Sequence, residues 1–133
     1  MSKLREKSKF NLDAAEVLIT KNLYAPSVHC SYYSCFQRIK CIFPEYFNLT
    51  YNQIDSTVAS IKTSEHNYLI HYLSNQIKQK LGDVEYRNFN NDIKDLKLFR
   101  TESDYKEIEV TSDLSNKALK LAKRINSFLD TTF

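Results

Sequence analysis

The chain has 133 residues and a mass of 15.6 kDa, one domain's worth of sequence with no room for two ordinary cores. Apolar residues make up 42% and charged residues 26%, the balance of a globular chain rather than a disordered one. It holds one glycine, Gly82, and two prolines, Pro26 and Pro44. Tight β-turns and phosphate-cradling loops both need glycines in number, so a β-sandwich, a Walker-type nucleotide site and a Rossmann domain are close to excluded. The formal charge of +3 is too small by itself to mark a nucleic-acid binder.

The chain therefore reads as all-α, a single domain over residues 1–133. The first helix is predicted over about Ser2 to Asn22, with rows Leu4, Asn11, Leu18 and Phe10, Ala14, Val17. The second starts at Pro26, a good first-turn residue. Val28, Tyr32, Cys35, Ile39 and Ile42 then recur at helical spacing, and Tyr33, Phe36 and Phe43 widen the stripe. This should be the central helix, ended by Pro44. Pro44 to Leu49 reads as loop, and Tyr51 to Ile61 as a short helix.

Another helix begins near Ser64 and carries His66, Leu69, Ile70, Leu73, Ile77 and Leu81 on one face, with Gly82 where a helix-ending glycine belongs. The next runs from about Asp83 to Tyr105, with Tyr86, Phe89, Ile93 and Leu96 inward. The last starts at the cap candidates Thr111 and Ser112 and places Leu114, Ala118, Leu121, Ile125 and Phe128 on one face. The expectation is an antiparallel bundle of four to five helices.

Three cysteines, Cys30, Cys35 and Cys41, fall in one apolar helix at spacings that allow neither a disulfide nor a metal site, so buried thiols are expected. No metal and no cofactor is implied. The charged start is not a signal peptide, and no run approaches the roughly 18 apolar residues of a membrane span. These readings predict a cytoplasmic protein.

Arg100 is the main anomaly. It continues the inward row of its helix, yet its charge cannot be lost. It is either a structural partner of Asp104, four residues on, or an anion-binding or catalytic group in a cleft, with Tyr105 beside it. His66 opens a helix face and is the second candidate. The neighbours Tyr32 and Tyr33 point one ring to the core and one to a cleft or subunit seam. His29 and His71 have no acidic or cysteine partner at ligand spacing. Lys117, Lys120 and Arg124 share one face of the last helix, as a solvated face or a phosphate-contacting stripe.

Two stretches carry a family resemblance. Asn22 to Phe36, reading NLYAPSVHCSYYSCF, resembles the first signature of small bacterial HEPN-domain proteins. Leu98 to Tyr105, reading LFRTESDY, resembles their Arg-x-x-x-Asp-Tyr stretch. His66 falls where that branch often has a histidine. The resemblance covers most of the chain and implies a homodimeric helical bundle that binds RNA, a nucleotide or a minimal nucleotidyltransferase, in a toxin–antitoxin or defence setting. It marks Arg100, Asp104, Tyr105, Tyr33 and His66 as ligand-binding positions. Many members are metal-independent ribonucleases whose arginine is followed after four to six residues by histidine. Here the positions after Arg100 are Asp104, Tyr105 and Lys106, so little or no cleavage is expected. The alternative is a ribonuclease with a rearranged site built from Arg100, His66 and Tyr105. A second subunit is also expected from the apolar circumference of the central helix, wider than one core normally covers.

Overall fold

A computed structural model describes residues 2–133. Six helices follow in order: α1 (Lys3–Thr20), α2 (Tyr24–Tyr46), α3 (Tyr51–Ile61), α4 (Glu65–Leu81), α5 (Asp83–Tyr105) and α6 (Ser112–Thr132). No strand occurs among the described residues. The chain is the all-α bundle that its composition and periodicity predict, but with six helices rather than four to five: five long ones and the short α3.

Local chemistry sets the ends. The Ser2, Ser64 and Thr111 hydroxyls accept from the backbone N–H of Arg5, Asn67 and Leu114, satisfying amides that the first turn leaves without partners. Thr50 and Gln53 form a reciprocal capping box that starts α3. Pro26 lies in the first turn of α2, which already begins at Tyr24. Pro44 does not end α2, which runs two residues past it to Tyr46. Its ring removes one backbone bond, to the Lys40 carbonyl, while the Phe47 N–H still reaches the Phe43 carbonyl at 3.1 Å.

Gly82 is the whole connection between α4 and α5. It has φ 97° and ψ −175°, a region that essentially only glycine occupies. This tight turn lays α5 back along α4, so the start of α4 meets the end of α5. There the Lys97 ammonium donates to the Asn67 amide oxygen at 2.6 Å.

α2 is the central element and packs against α1, α4, α5 and α6. Val28, Tyr32, Cys35, Ile39, Ile42 and Phe43 are buried with Leu69, Leu73, Ile77, Ile93, Leu96, Ile125 and Leu129. The wide apolar circumference of α2 is thus covered within one chain, and it does not by itself call for a second subunit. α1 also differs from its expected register. Phe10 and Val17 are 67% and 56% exposed, whereas Ser8 and Ala15 are buried. Small residues let α1 approach α2 closely enough for backbone contacts. The Ser8 hydroxyl donates to the Ser34 carbonyl at 2.5 Å, and the Ser27 hydroxyl to the Ala15 carbonyl at 2.8 Å. No helix of the described residues is long and apolar enough to cross a membrane.

Candidate functional site

Three helices converge on Arg100. From α2 come His29, Tyr32, Tyr33 and Phe36, spaced to share one side of a helix. The first turn of α4 brings His66. The last two turns of α5 bring Lys97, Arg100, Asp104 and Tyr105.

Arg100 is 9% exposed. Its guanidinium carbon lies 5.1 Å from the Tyr32 ring centroid, 5.5 Å from Tyr33 and 5.8 Å from Tyr105. A delocalised, weakly hydrated cation is suited to such aromatic surroundings. Its Nε is buried with no hydrogen-bond partner among the described residues. The expected ion pair with Asp104 is present but long, at 3.7 Å.

Asp104 is held more closely by His29, whose Nδ1 is 2.7 Å from its Oδ2. This corrects the reading of His29 as lacking an acidic partner. The two residues are 75 positions apart in the chain, so ligand spacing along one helix could not reveal the pair. The His29 ring also packs on Tyr33, centroids 4.7 Å apart. With Nδ1–H donated to the carboxylate, Nε2 is the imidazole nitrogen left for another partner. Asp104 therefore divides its charge between an imidazole and a guanidinium, and Arg100 is incompletely neutralised.

His66 also reaches this cluster. Its Nδ1 lies 2.6 Å from the Tyr32 hydroxyl, and its ring stacks on Phe36 at 3.8 Å. Burial raises the pKa of the Tyr32 phenol, so the hydroxyl keeps its proton and can donate it to His66 Nδ1. In the neutral ring Nε2 must then carry the proton. His66 is held neutral by burial first, then by the charges of Arg100 and Lys97, which lower its pKa from 6.5 to about 4. The Lys40 charge adds slightly and Glu65 opposes it. So low a pKa makes His66 a poor proton acceptor near neutral pH.

The depressed pKa has a consequence for stability. Between about pH 4 and 6.5 the unfolded chain binds more protons at His66 than the folded chain. The neutral imidazole's contribution is complete above 6.5 and is lost as the pH falls through about 4. The urea midpoint is expected to fall between about pH 7 and about pH 5, and to fall less in His66→Asn. An identical fall in both proteins would rule this out.

Lys97 belongs to the same cluster but has no sequence signature beyond its place three residues before Arg100. Burial and Arg100 lower its pKa. Elsewhere, His71 hydrogen-bonds Asn75, with Nε2 at 3.2 Å from its amide nitrogen. Cys35 and Cys41 are buried and Cys30 is partly exposed, all as free thiols. Of the three basic residues predicted to share one face of α6, Arg124 is bound by both oxygens of Asp92 at 2.9 and 2.8 Å, and Lys117 lies over the Phe99 ring. A cavity of about 400 Å³ between α5 and α6 is lined by Phe89, Asp92, Arg124 and Phe128 and contains none of the residues gathered around Arg100. No group of three potential metal ligands occurs among the described residues.

No curated protein and no solved structure matches the chain. A family model described as HEPN domain matches residues 1–131. With nearly the whole bundle inside that match, the chain belongs to the HEPN domain family.

Proposed function

We propose that this chain is a HEPN module that binds RNA or a nucleotide against Arg100, with Tyr33 and Tyr105 flanking the ligand and Asp104 and His66 shaping its surroundings. The observation that carries this reading is the state of Arg100. It is a buried cation bordered by three rings, its closest carboxylate lies at 3.7 Å, and that carboxylate is shared with His29. A phosphate would supply the missing negative charge. Tyr105 is 75% exposed and offers a face for base stacking, which is worth about 1–3 kcal/mol per base in such sites.

Titration of the full chain with a labelled single-stranded RNA tests the reading. Saturable binding that weakens with salt and on Arg100→Ala is expected. No saturable binding, or unchanged binding by the variant, would refute it. The same RNA should stay intact without metal, because the usual Arg–His spacing is missing.

A second reading, a metal-independent endoribonuclease using Arg100, His66 and Tyr105, draws on the fact that Arg100 and His66 both touch Tyr32. The lowered pKa of His66 weighs against it, because so weak a base takes up a proton poorly near neutral pH. Robust cleavage that disappears in His66→Ala would establish it over the first reading.

The proposal includes a homodimer, with a minimal nucleotidyltransferase as a further partner in a toxin–antitoxin or defence setting. Exposed apolar residues along and just beyond the end of α5 support a partner surface there: Leu98 at 51%, Tyr105 at 75% and Ile108 at 48%. Light scattering should give twice the chain mass of 15.6 kDa, and a monodisperse monomer would remove the dimer.

A further inference from the structure

The most deeply buried guanidinium of the chain is not Arg100. Arg38 is 4% exposed and lies on another side of α2, roughly 120–140° around the helix from Tyr32 and Tyr33 at 3.6 residues per turn. It borders a small cavity of about 80 Å³ where α1, α2 and α6 meet. Arg5, Ser8, Lys9 and Leu12 line it from α1, and Asn126 and Asp130 from α6. The α1 residues recur at steps of three, one and three, and the α6 pair is four apart. Each helix therefore presents one face to the same space.

We infer that this cavity is a binding site for a single tetrahedral oxyanion of the phosphate type, independent of the Arg100 site. Three cations surround it, Arg5, Lys9 and Arg38. Two carboxylates oppose them. Asp130 lies 2.7 Å from the Arg38 Nε, and Glu45 holds Arg5 at 2.6 Å. One positive charge is left over.

Hydrogen-bond donors are also left over on the cationic side, although the buried Asn126 Oδ1 on the α6 side is an unpartnered acceptor. Arg38 uses Nε on Asp130 and Nη1 on the Cys41 sulfur at 3.5 Å, a weak acceptor. Its Nη2 has no hydrogen-bond partner among the described residues, nor has the Lys9 ammonium. A planar guanidinium fork with an unused N–H edge is matched by the oxygens of a phosphate. The cavity volume suits one such group and excludes a whole nucleotide.

Asp130 is the built-in competitor. Its side chain is 59% exposed, so water screens its charge, and it occupies only one edge of the fork. Removing its charge should open the site further. Free phosphate and an RNA backbone phosphate present the same chemistry, and the two are separable by experiment.

Inorganic phosphate is the probe, titrated into the full chain by calorimetry, with sodium chloride at equal ionic strength as the control. Saturable phosphate binding is expected. Lys9→Ala, an exposed change that leaves the packing alone, should weaken it at least threefold. Asp130→Asn should tighten it by a similar factor, and both responses should persist when they are measured in an Arg100→Ala background. Equal responses to phosphate and chloride would overturn the inference. So would indifference to both Lys9→Ala and Asp130→Asn, or loss of phosphate binding in Arg100→Ala. If single-stranded RNA also binds less tightly to Lys9→Ala and competes with phosphate, the oxyanion is an RNA phosphate. If RNA affinity is unaffected, it is a free phosphate group. Because Arg100→Ala and Lys9→Ala act on separate sites, failure of RNA binding at Arg100 leaves this inference standing.

Discussion

Tyr32→Ala should cost the fold about 3–5 kcal/mol, the range for deleting a large buried ring. Tyr32 is fully buried and joins three helices at once. Its ring packs beside Phe36 on α2 and His66 on α4, its hydroxyl bonds His66, and the Arg100 guanidinium of α5 rests on it. The truncation removes the ring contacts, leaves the His66 Nδ1 without its donor, and takes one aromatic wall from a buried cation. Tyr32→Phe keeps the ring and loses only the hydrogen bond, so it should cost about 1 kcal/mol. Urea unfolding of the two variants beside the parent chain gives both values. A loss below about 1 kcal/mol for Tyr32→Ala would mean that the cluster collapses around the gap and that Tyr32 does not hold the three helices together.

Arg100→Ala should have the opposite profile, a large effect on binding and a smaller one on folding. A hydrogen bond to a charged group contributes about 1.5–3 kcal/mol, which is roughly a tenfold to hundredfold loss of RNA affinity. Folding suffers less because Asp104 keeps its bond to His29 at 2.7 Å and is not left unpaired. Arg100→Lys keeps the charge but not the planar fork or its stacking on Tyr32 and Tyr33, so it should recover only part of the affinity. Anisotropy titrations at two salt concentrations separate these cases, since a lost phosphate contact lowers the salt slope by about one unit. If Arg100→Ala instead unfolds the chain, and a double-mutant cycle shows tight coupling to Asp104, the pair is structural.

The helices were legible because their apolar rows repeat cleanly, and Arg100 was legible because it breaks such a row. Tyr33, His66, Asp104 and Tyr105 do gather around it, but periodicity along single helices could not show how. The His29–Asp104 contact joins α2 to the end of α5 and depends on how two helices pack. The apolar rows that make α2 legible leave Arg38 out. Its second face, Ser27, Ser31, Ser34, Arg38 and Cys41, has equally regular spacing and is buried, but it is written in small and polar residues. The same bias misplaced α1. Phe10 and Val17 look like core residues by hydropathy, yet the backbone contacts of Ser8 and Ser27 turn them outward. Pro44 shows that proline near a helix end removes one bond without stopping the last turn.

The turn at Gly82 gives the site a mechanical origin far from its chemistry. α4 has 17 residues, so His66 and Asn67 sit at the end of a lever about 25 Å long, at 1.5 Å per residue. A change of 10° at the pivot would sweep that end by roughly 4 Å over such a length, enough to part Asn67 from Lys97 and His66 from Tyr32. Nothing crowds the pivot, since a Cβ added at Gly82 would meet no atom within 4 Å. Its constraint is purely torsional. The alignment of the two helix ends therefore depends on the Gly82 backbone as well as on the packing of α4, and variation at this remote, open surface position would be read out as misalignment around Arg100.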